Sequence, residues 1–440
     1  MKWAVLPLGE LAASSDGAIS IGPFGSAMKA DTYTELGVPV VRGTNISDTR
    51  AWKGDWVHIP EELADRMKRC LVFAGDLVLP HRGSIGEVAI IPDDERGRYF
   101  ISSSLMKITL DREKIEPLFC YYFLRSAEGR SEILRFSSSV GTPGIGQPLT
   151  SLRQFKVPVP PLPEQRAIAA TLGALDDKIE LNRKMNATLE AMARALFRDW
   201  FVDFGPTRAK AEERAPYLSP DLWSLFPDRL NDDGKPVGWE VFRLEQIAEH
   251  HKRAISPSAQ PERIFEHFSL PAFDKGQCPA LDRGETIKSN KTLVPPDSVL
   301  LSKLNPEIPR VWLPEAAGDA QQIASTEFLS YTGRNGTQRA LLFCLFSDDR
   351  FRDMLQSMVT GTSKSHQRIS PPDLLRREVL TGCPDMFAAL EAMIEPLLNR
   401  VLANRAESRT LARTRDQLLP RLMSGELRVA EAETLASEVA

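Results

Sequence analysis

Residues 163–200 read PEQRAIAATLGALDDKIELNRKMNATLEAMARALFRDW. Taken from Ile168 in alternating steps of four and three, the stretch gives Leu172, Leu175, Ile179, Asn182, Asn186, Leu189, Ala193, Leu196 and Trp200. Apolar side chains at that spacing fall on one narrow face of an α-helix, the seam along which helices pair. Two asparagines, Asn182 and Asn186, interrupt it in the middle, where a buried amide costs stability but fixes register. Pro163 suits the first helical turn, where its missing N–H would have no partner in any case, and Glu164 complements the positive helix end. Gly205-Pro206 stops whatever follows.

A second segment, from about Glu395 to Met423, repeats the pattern with Leu397, Val401, Asn404, Ser408, Leu411, Arg415, Leu418 and Leu422. Pro396 is read as its beginning and Ser424-Gly425 as its C-terminal stop. Pro420 is expected to kink or shorten the last turn. Both seams are apolar at their ends and polar in their middles. Two arrangements satisfy them: separate amphipathic helices, each packed on its own domain, or one antiparallel pair. A helix of this length spans roughly 50 Å at 1.5 Å per residue, enough to hold two domains at a fixed distance.

Working outward, residues 1–160 and 239–384 alternate short apolar runs with Gly, Pro, Asn and Ser clusters. Strands are expected at Val38–Val41, Leu71–Leu79, Val88–Ile91, Leu105–Leu110, Ser298–Ser302 and Phe328–Thr332, and helices at Leu118–Ser126, Arg130–Phe136, Ala340–Phe346 and Arg350–Met358. The resulting plan is a globular domain at 1–160, a central helix at 161–204, a Pro- and Asp-rich connecting arm at 205–238, a second globular domain at 239–384, a distal helix at 385–428 and a tail at 429–440. The fold class is α+β: two globular α/β domains separated by two long helices that pair as an antiparallel coiled coil.

The halves resemble each other. Trp3-Ala-Val-Leu-Pro-Leu8 matches Trp239-Glu-Val-Phe-Arg-Leu244, Gly75-Asp-Leu-Val-Leu79 matches Pro296-Asp-Ser-Val-Leu300, and Ile101-Ser-Ser-Ser104 matches Ile323-Ala-Ser-Thr326. Gly141-Thr142 matches Gly361-Thr362 in the same order, which points to a duplicated unit of domain plus helix. Two similar domains on a spacer suit two separated patches of one partner, such as half-sites on a duplex about one turn apart.

Composition alone does not name that partner. The net charge of −4 is unlike that of many nucleic-acid binders, although a local basic groove is compatible with it. The 5 cysteines are scattered and form no CxxC pair, which argues against a disulfide framework or a structural zinc site. No cationic N-terminus precedes an apolar run, and the longest apolar stretch, Ala340–Phe346, is far short of a membrane span. A cytoplasmic protein without a membrane partner is expected.

Catalytic signatures are missing. There is no phosphate-cradling GxxxxGK[ST], no GxGxxG after a strand, no GxSxG elbow and no Asn/Asp-Pro-Pro-Tyr/Phe of an adenine methyltransferase. Pro296, Asp297, Leu301 and Lys303 mimic a PD…(D/E)xK nuclease, but Leu301 stands where the second acid is needed. No catalytic residue and no metal ligand is assigned.

Several loops instead combine Gly, small hydroxyl residues and cations: Gly22–Lys29, Arg42–Asn45 and His81–Gly86 in the first half, and Lys288–Lys291, Ser302–Asn305 and Ser363–Arg368 in the second. Glycine permits close approach to phosphate, Lys and Arg neutralise it, and Arg, Asn and Gln pair bidentately with base edges. Candidate DNA contacts are Lys29, Arg42, Thr44, Asn45, His81, Arg82, Ser84, Thr142 and Gln147, together with Lys288, Lys291, Ser302, Lys303, Asn305, Lys364, Ser365, His366, Gln367 and Arg368. For any one loop the competing reading is a solvated turn.

Val157-Pro-Val-Pro-Pro-Leu-Pro-Glu-Gln-Arg-Ala-Ile-Ala169 resembles the start of the central conserved region of Type I restriction–modification specificity subunits. Leu175-Asp-Asp-Lys-Ile-Glu-Leu-Asn-Arg183 and Ala195-Leu-Phe-Arg-Asp-Trp-Phe-Val-Asp-Phe-Gly205 look like its continuation. Leu418-Leu-Pro-Arg-Leu-Met-Ser-Gly-Glu-Leu427 looks like the end of the distal region. Gly83-Ser-Ile-Gly86 and Gly141-Thr-Pro-Gly-Ile-Gly146 are similar to framework motifs of target-recognition domains.

The resemblance implies two target-recognition domains, each reading one part of a split site on double-stranded DNA. It also implies that the helices form an antiparallel coiled coil around which modification (methyltransferase) subunits dock. Those subunits use S-adenosylmethionine, and restriction (translocase/nuclease) subunits add chemistry driven by ATP and Mg; this chain itself would carry no cofactor. Two departures are visible. Thr381-Gly-Cys-Pro-Asp385 lacks the Pro-Pro-Leu-x-Glu-Gln string, and Ser302-Lys-Leu-Asn305 lacks the Gly-x-x-Gly of the first half. Other readings are a DNA-reading subunit of a methyltransferase-only or other phage-defence complex, and a coiled-coil scaffold without DNA binding.

Overall fold

The computed structural model describes residues 3–437 apart from 24–27, 29–31, 48, 139–142, 317, 335–337 and 360–366. The chain divides into two compact units, one of Met1–Arg183 with Arg405–Ala440 and one of Lys184–Asn404. Two long helices, Leu162–Phe201 and Pro384–Met423, each contribute one part to each unit.

In the first unit, Ile168, Leu172 and Leu175 share a core with Leu411, Leu418 and Leu422, and Ile179 is half-buried against it. Beyond these, Asp176 accepts from Arg415 Nη1 at 2.6 Å and from Tyr122 Oη at 2.7 Å. Asn182 Nδ2 donates to Glu407 Oε2 at 2.7 Å and to Ser408 Oγ at 3.3 Å. Partner numbers fall as the numbers of the first helix rise, so the segments are antiparallel. In the second unit Asn404 Nδ2 donates to Asn186 Oδ1 at 2.8 Å, and Phe201 meets Phe387 at 5.7 Å between ring centroids. The polar middles of the two seams therefore hydrogen-bond each other within each unit.

The second helix begins at Pro384, not near Pro396. Pro396 lies within it and is exposed, as is Ala392, whose carbonyl loses its N–H donor there but lies on a face open to solvent. Pro420 is likewise exposed inside the helix, and Gly425 (φ 71°) ends it, close enough to Trp3 that a Cβ there would meet the indole at 3.2 Å. The seam also widens in the second unit. Leu189, Leu196 and Leu397 are only half-buried, while Phe197, Trp200, Phe201 and Leu398 are buried and Val401 stays on the seam. A helix covered by a globular core as well as by another helix buries a broader stripe than a bare coiled coil.

The globular parts repeat one plan. In the first unit, one four-stranded sheet has the order Ile19–Ile21, Leu105–Ile108, Leu77–Pro80, Ala89–Ile90. Another has the order Val57–Ile59, Val38–Val41, Tyr99–Ile101, Leu71–Val72, with the middle pair parallel. In the second unit the orders are Ala248–His251, Phe328–Gly333, Val299–Ser302, Val311–Trp312, and, beside an extra edge strand Ala254–Ile255, Lys291–Leu293, Gln321–Ala324, Ile264–Phe268, Ala280–Arg283. Strands such as Val38–Val41 and Val299–Ser302 are buried on both faces, which is why they read as unbroken apolar runs. Apolar helices Pro117–Arg125 and Arg339–Ser347 lie in the two cores.

Other sequence expectations need correction. Leu71–Leu79 is two strands split by a turn, because Asp76 accepts from the Phe73 N–H at 3.0 Å and Gly75 takes φ 88°. The arm at 205–238 contains helices Gly205–Ala211 and Pro220–Leu225, and its Phe226 is buried edge-on against Trp200 at 5.1 Å. The tail holds the helix Val429–Ser437, drawn in by the buried Ala432.

The missing Glu-Gln string before the second helix has a structural counterpart. Gln165 Oε1 accepts from the Glu116 N–H at 2.8 Å, capping the helix Pro117–Arg125. In the second unit Glu391 Oε1 accepts from the N–H groups of Gln338 and Leu341 at 3.0 and 2.9 Å, capping Arg339–Ser347. Burial pushes the Glu391 carboxyl up to about 6, against backbone donors that hold it down. Because its folded pKa exceeds the unfolded value of 4.5, stability present at low pH is lost as pH rises through about 6. Glu391→Gln should keep the cap and flatten that dependence. Glu391→Ala should cost about 1–3 kcal/mol by orphaning buried donors. Thermal melts of both variants between pH 4 and 8 check this.

Candidate nucleic-acid interface

In the first unit the strands Ile19–Ile21, Val38–Val41, Leu77–Pro80 and Tyr99–Ile101 deliver their chain-terminal ends to one turn, Ser102–Ser104. The Ser102 N–H donates to Val41 at 2.9 Å, the Gly22 N–H to Leu105 at 2.9 Å and the His81 N–H to Ser104 at 2.9 Å. A further segment closes the group: the Ile145 N–H donates to His81 at 2.9 Å and the Gly83 N–H to Pro143 at 3.1 Å. The loops beginning at Gly22, Arg42 and His81 and the segment 143–147 are thereby brought to one rim, bound together by backbone hydrogen bonds.

The second unit repeats four of these five bonds. The Ser325 N–H donates to Phe268 at 2.8 Å, the Lys303 N–H to Glu327 at 2.9 Å, the Ile369 N–H to Lys303 at 3.1 Å and the Asn305 N–H to Gln367 at 2.9 Å. Arg82 bridges Gly144 in the first unit, and Leu304 bridges Arg368 in the second. Gly83 (φ 83°) corresponds to Asn305 (φ 49°), so an asparagine takes the left-handed position that glycine fills in the other copy. The missing Gly-x-x-Gly is thus replaced, not lost. The clasp also corrects the internal alignment by one residue: Gly75 (φ 88°) matches Asp297 (φ 57°), and Ser102 matches Ser325.

Within this frame the candidate residues separate. Thr44, Arg82, Ser84, Gln147 and Arg368 are exposed on the rims, and Arg42, Lys303 and Gln367 are half-exposed. Arg42 is held by Asn45 Oδ1 and the Asp55 carbonyl. Lys288 is exposed but donates to the Glu285 carbonyl at 2.7 Å.

Others turn inward. Asn45 is fully buried, and its amide serves Lys53, Asp55 and Arg42. His81 is buried with Nε2 on the Ser103 carbonyl at 3.0 Å, and burial holds its pKa below the usual histidine value. Lys291 is buried, donates to Ser289 Oγ at 2.6 Å and has its pKa lowered by the same cause. Ser302 is buried and donates to Leu304, and Asn305 spends its backbone on the clasp. Asn45, His81, Lys291 and Ser302 have side-chain hydrogen bonds committed to the protein, whereas Asn305 Oδ1 is buried without a hydrogen-bond partner among the described residues. Lys29, Thr142, Lys364, Ser365 and His366 lie outside the described residues.

Two features escaped the sequence reading. Glu327, in the turn of the second clasp, pairs with Arg368 through Nε–Oε2 at 3.1 Å and Nη2–Oε1 at 3.0 Å. A basic run, His250-His-Lys-Arg253, lines a cavity of about 650 Å³ with Arg263 and Gln321. The run itself was the available signal. Among the described residues no helix is long and apolar enough to cross a membrane.

Residues 2–191 match the family model described as the Type I restriction modification DNA specificity domain. The chain is 26% identical over 376 residues to the Type I restriction enzyme MjaIX specificity subunit of Methanocaldococcus jannaschii, covering 81% of this chain and 78% of that one. It is 24% identical over 382 residues to the HindI specificity subunit of Haemophilus influenzae, covering 76% and 83%. The crystal structure of the Type I restriction–modification S subunit from M. genitalium shares the fold, with a TM-score of 0.55 and 15% identity over 96% of each chain.

Proposed function

We propose that the chain acts as a DNA specificity subunit of a Type I restriction–modification system, in keeping with the family model and relatives it matches, and that its two clasps each read one part of a divided DNA site. The observation that supports this most is the recurrence of one backbone frame carrying different side chains. Arg82 and Gly144 in the first clasp stand where Leu304 and Arg368 stand in the second. Equal frames accept the same groove geometry, and unequal side chains select different bases, so the site is asymmetric. The helices to which both units contribute offer the surface on which modification subunits dock.

The chain is non-catalytic in this reading. Methyl transfer from S-adenosylmethionine belongs to the modification subunits, and translocation and cleavage with ATP and Mg belong to restriction subunits. The complex works in the cytoplasm, where its DNA is. Arg42 and Lys288 serve phosphates, and Arg82, Gln147, Gln367 and Arg368 face base edges.

A mobility-shift titration of the chain with its modification subunits tests the reading. One class of duplex, bearing the split site, should be retained as salt is raised from 50 to 200 mM, while other duplexes are lost. Equal retention of every duplex would contradict it.

A further inference from the structure

We infer that Glu327 is a specificity-determining positioning residue: it holds Arg368 so that the guanidinium reads a guanine edge and is turned away from phosphate. This rests on the reading of the second clasp as a DNA interface. The two residues come from different limbs of that clasp, and each limb is fixed by backbone. Glu327 is in the turn whose carbonyl accepts from Lys303, and Arg368 is in the bridge to Leu304. Their pairing is side-on, with Nε and Nη2 each meeting one carboxylate oxygen at 3.1 and 3.0 Å. Both side chains keep solvent access, at 44% for Arg368 and 22% for Glu327.

The chemistry follows from the shape of the fork. A guanidinium presents a side edge, Nε with Nη2, and an end edge, Nη1 with Nη2. Glu327 engages the side edge, which fixes the plane and direction of the end edge. That end edge is the one that pairs with O6 and N7 of guanine. Charge then decides what the arginine prefers. A phosphate drawn to Arg368 would also meet the Glu327 carboxylate and be repelled, whereas the guanine edge is uncharged and suffers no such penalty. The acid therefore lowers sequence-independent attraction while leaving the base contact, a repulsive element that raises discrimination.

The first clasp lacks this device. Ser104 occupies the position of Glu327 and hydrogen-bonds Ser102, and Gly144 occupies that of Arg368. Arg82, the exposed arginine of that clasp, comes from the opposite limb. Arg42 is held by an amide oxygen and a carbonyl, which leave its charge intact and suit a phosphate. The two clasps thus carry equally charged arginines in different surroundings, one beside a carboxylate and one beside neutral acceptors.

Selection from a fully randomised duplex library with the complete modification complex tests the assignment, comparing wild type with Glu327→Gln, Glu327→Ala and Arg368→Ala. Arg368→Ala and Glu327→Ala should relax the same guanine position in one half of the selected motif, tenfold or more. Both Glu327 variants should raise affinity for non-specific duplex several-fold and steepen its salt dependence by about one phosphate contact. The untouched half of the motif reports that the complex still folds and assembles. Relaxation at no position, equal weakening of both halves, or a switch of preference at a cytosine read by Glu327 itself would overturn the assignment. A wild-type complex that selects no split motif would instead overturn the underlying functional reading.

Discussion

Replacing residues 1–160 with the corresponding segment of a Type I specificity subunit should change one half of the methylated motif and leave the other half intact. The first clasp is self-contained: its hydrogen bonds among Val41, His81, Gly83, Ser102, Ser104, Pro143 and Ile145 all lie inside the exchanged segment. The junction is also tolerant. Gln165 holds the segment through the backbone of Glu116, Lys114 and Pro160, groups any homologue presents whatever its side chains. Side-chain contacts such as Tyr122 to Asp176 are the part that must be matched. Methylation mapping of the chimaera gives the readout, and alteration of both halves would show that the units do not read independently.

The second large effect is on stability. Arg415→Ala should destabilise the first unit by about 3–5 kcal/mol, the cost of leaving one member of a buried ion pair without the other. Asp176 is only 4% exposed and Arg415 13%. Asp176 also anchors Tyr122, whose phenol is pushed up by burial first and by the Asp176 charge second, so it remains a donor. Replacing Asp176 and Arg415 together by leucine should recover part of the loss, because two hydrophobic partners leave no orphaned charge, although the buried Tyr122 hydroxyl then loses its acceptor at a cost of about 1–3 kcal/mol. Denaturant melts of the single and double variants measure both. A loss under 1 kcal/mol for Arg415→Ala would mean that the pair is hydrated and not a core element.

The helices were legible because a 4-3 apolar repeat admits few other folds, and Asn182, Asn186, Asn404 and Ser408 marked the polar middle correctly. Pro396 misled the start of the second helix, since a proline tolerated on a wet helix face reads as a proline at a first turn. Val38–Val41, Leu105–Ile108 and Val299–Ser302 stood out as apolar runs. Short polar-flanked strands such as Ile19–Ile21 and Gln321–Ala324 did not, because tertiary pairing and not local pattern makes them strands.

At the proposed interface, composition singled out the loops but not the direction of their side chains. Asn45 and Lys291 look like Arg82 and Lys288 in a sequence; only the fold shows that the first two spend their hydrogen bonds inward. Asn305 hid the second clasp because left-handed backbone is usually announced by glycine. Glu327 was invisible for a simpler reason: an acid counts against a proposed DNA contact until its arginine is seen.

The central claim is that two clasps in one chain read two parts of one site. Sequencing adenine methylation in DNA from cells that express this chain with its modification subunits tests it most directly. The proposed function predicts one split motif, with two short defined blocks of different sequence separated by unspecified bases. A contiguous motif, or the same methylation pattern when this chain is left out, would contradict it.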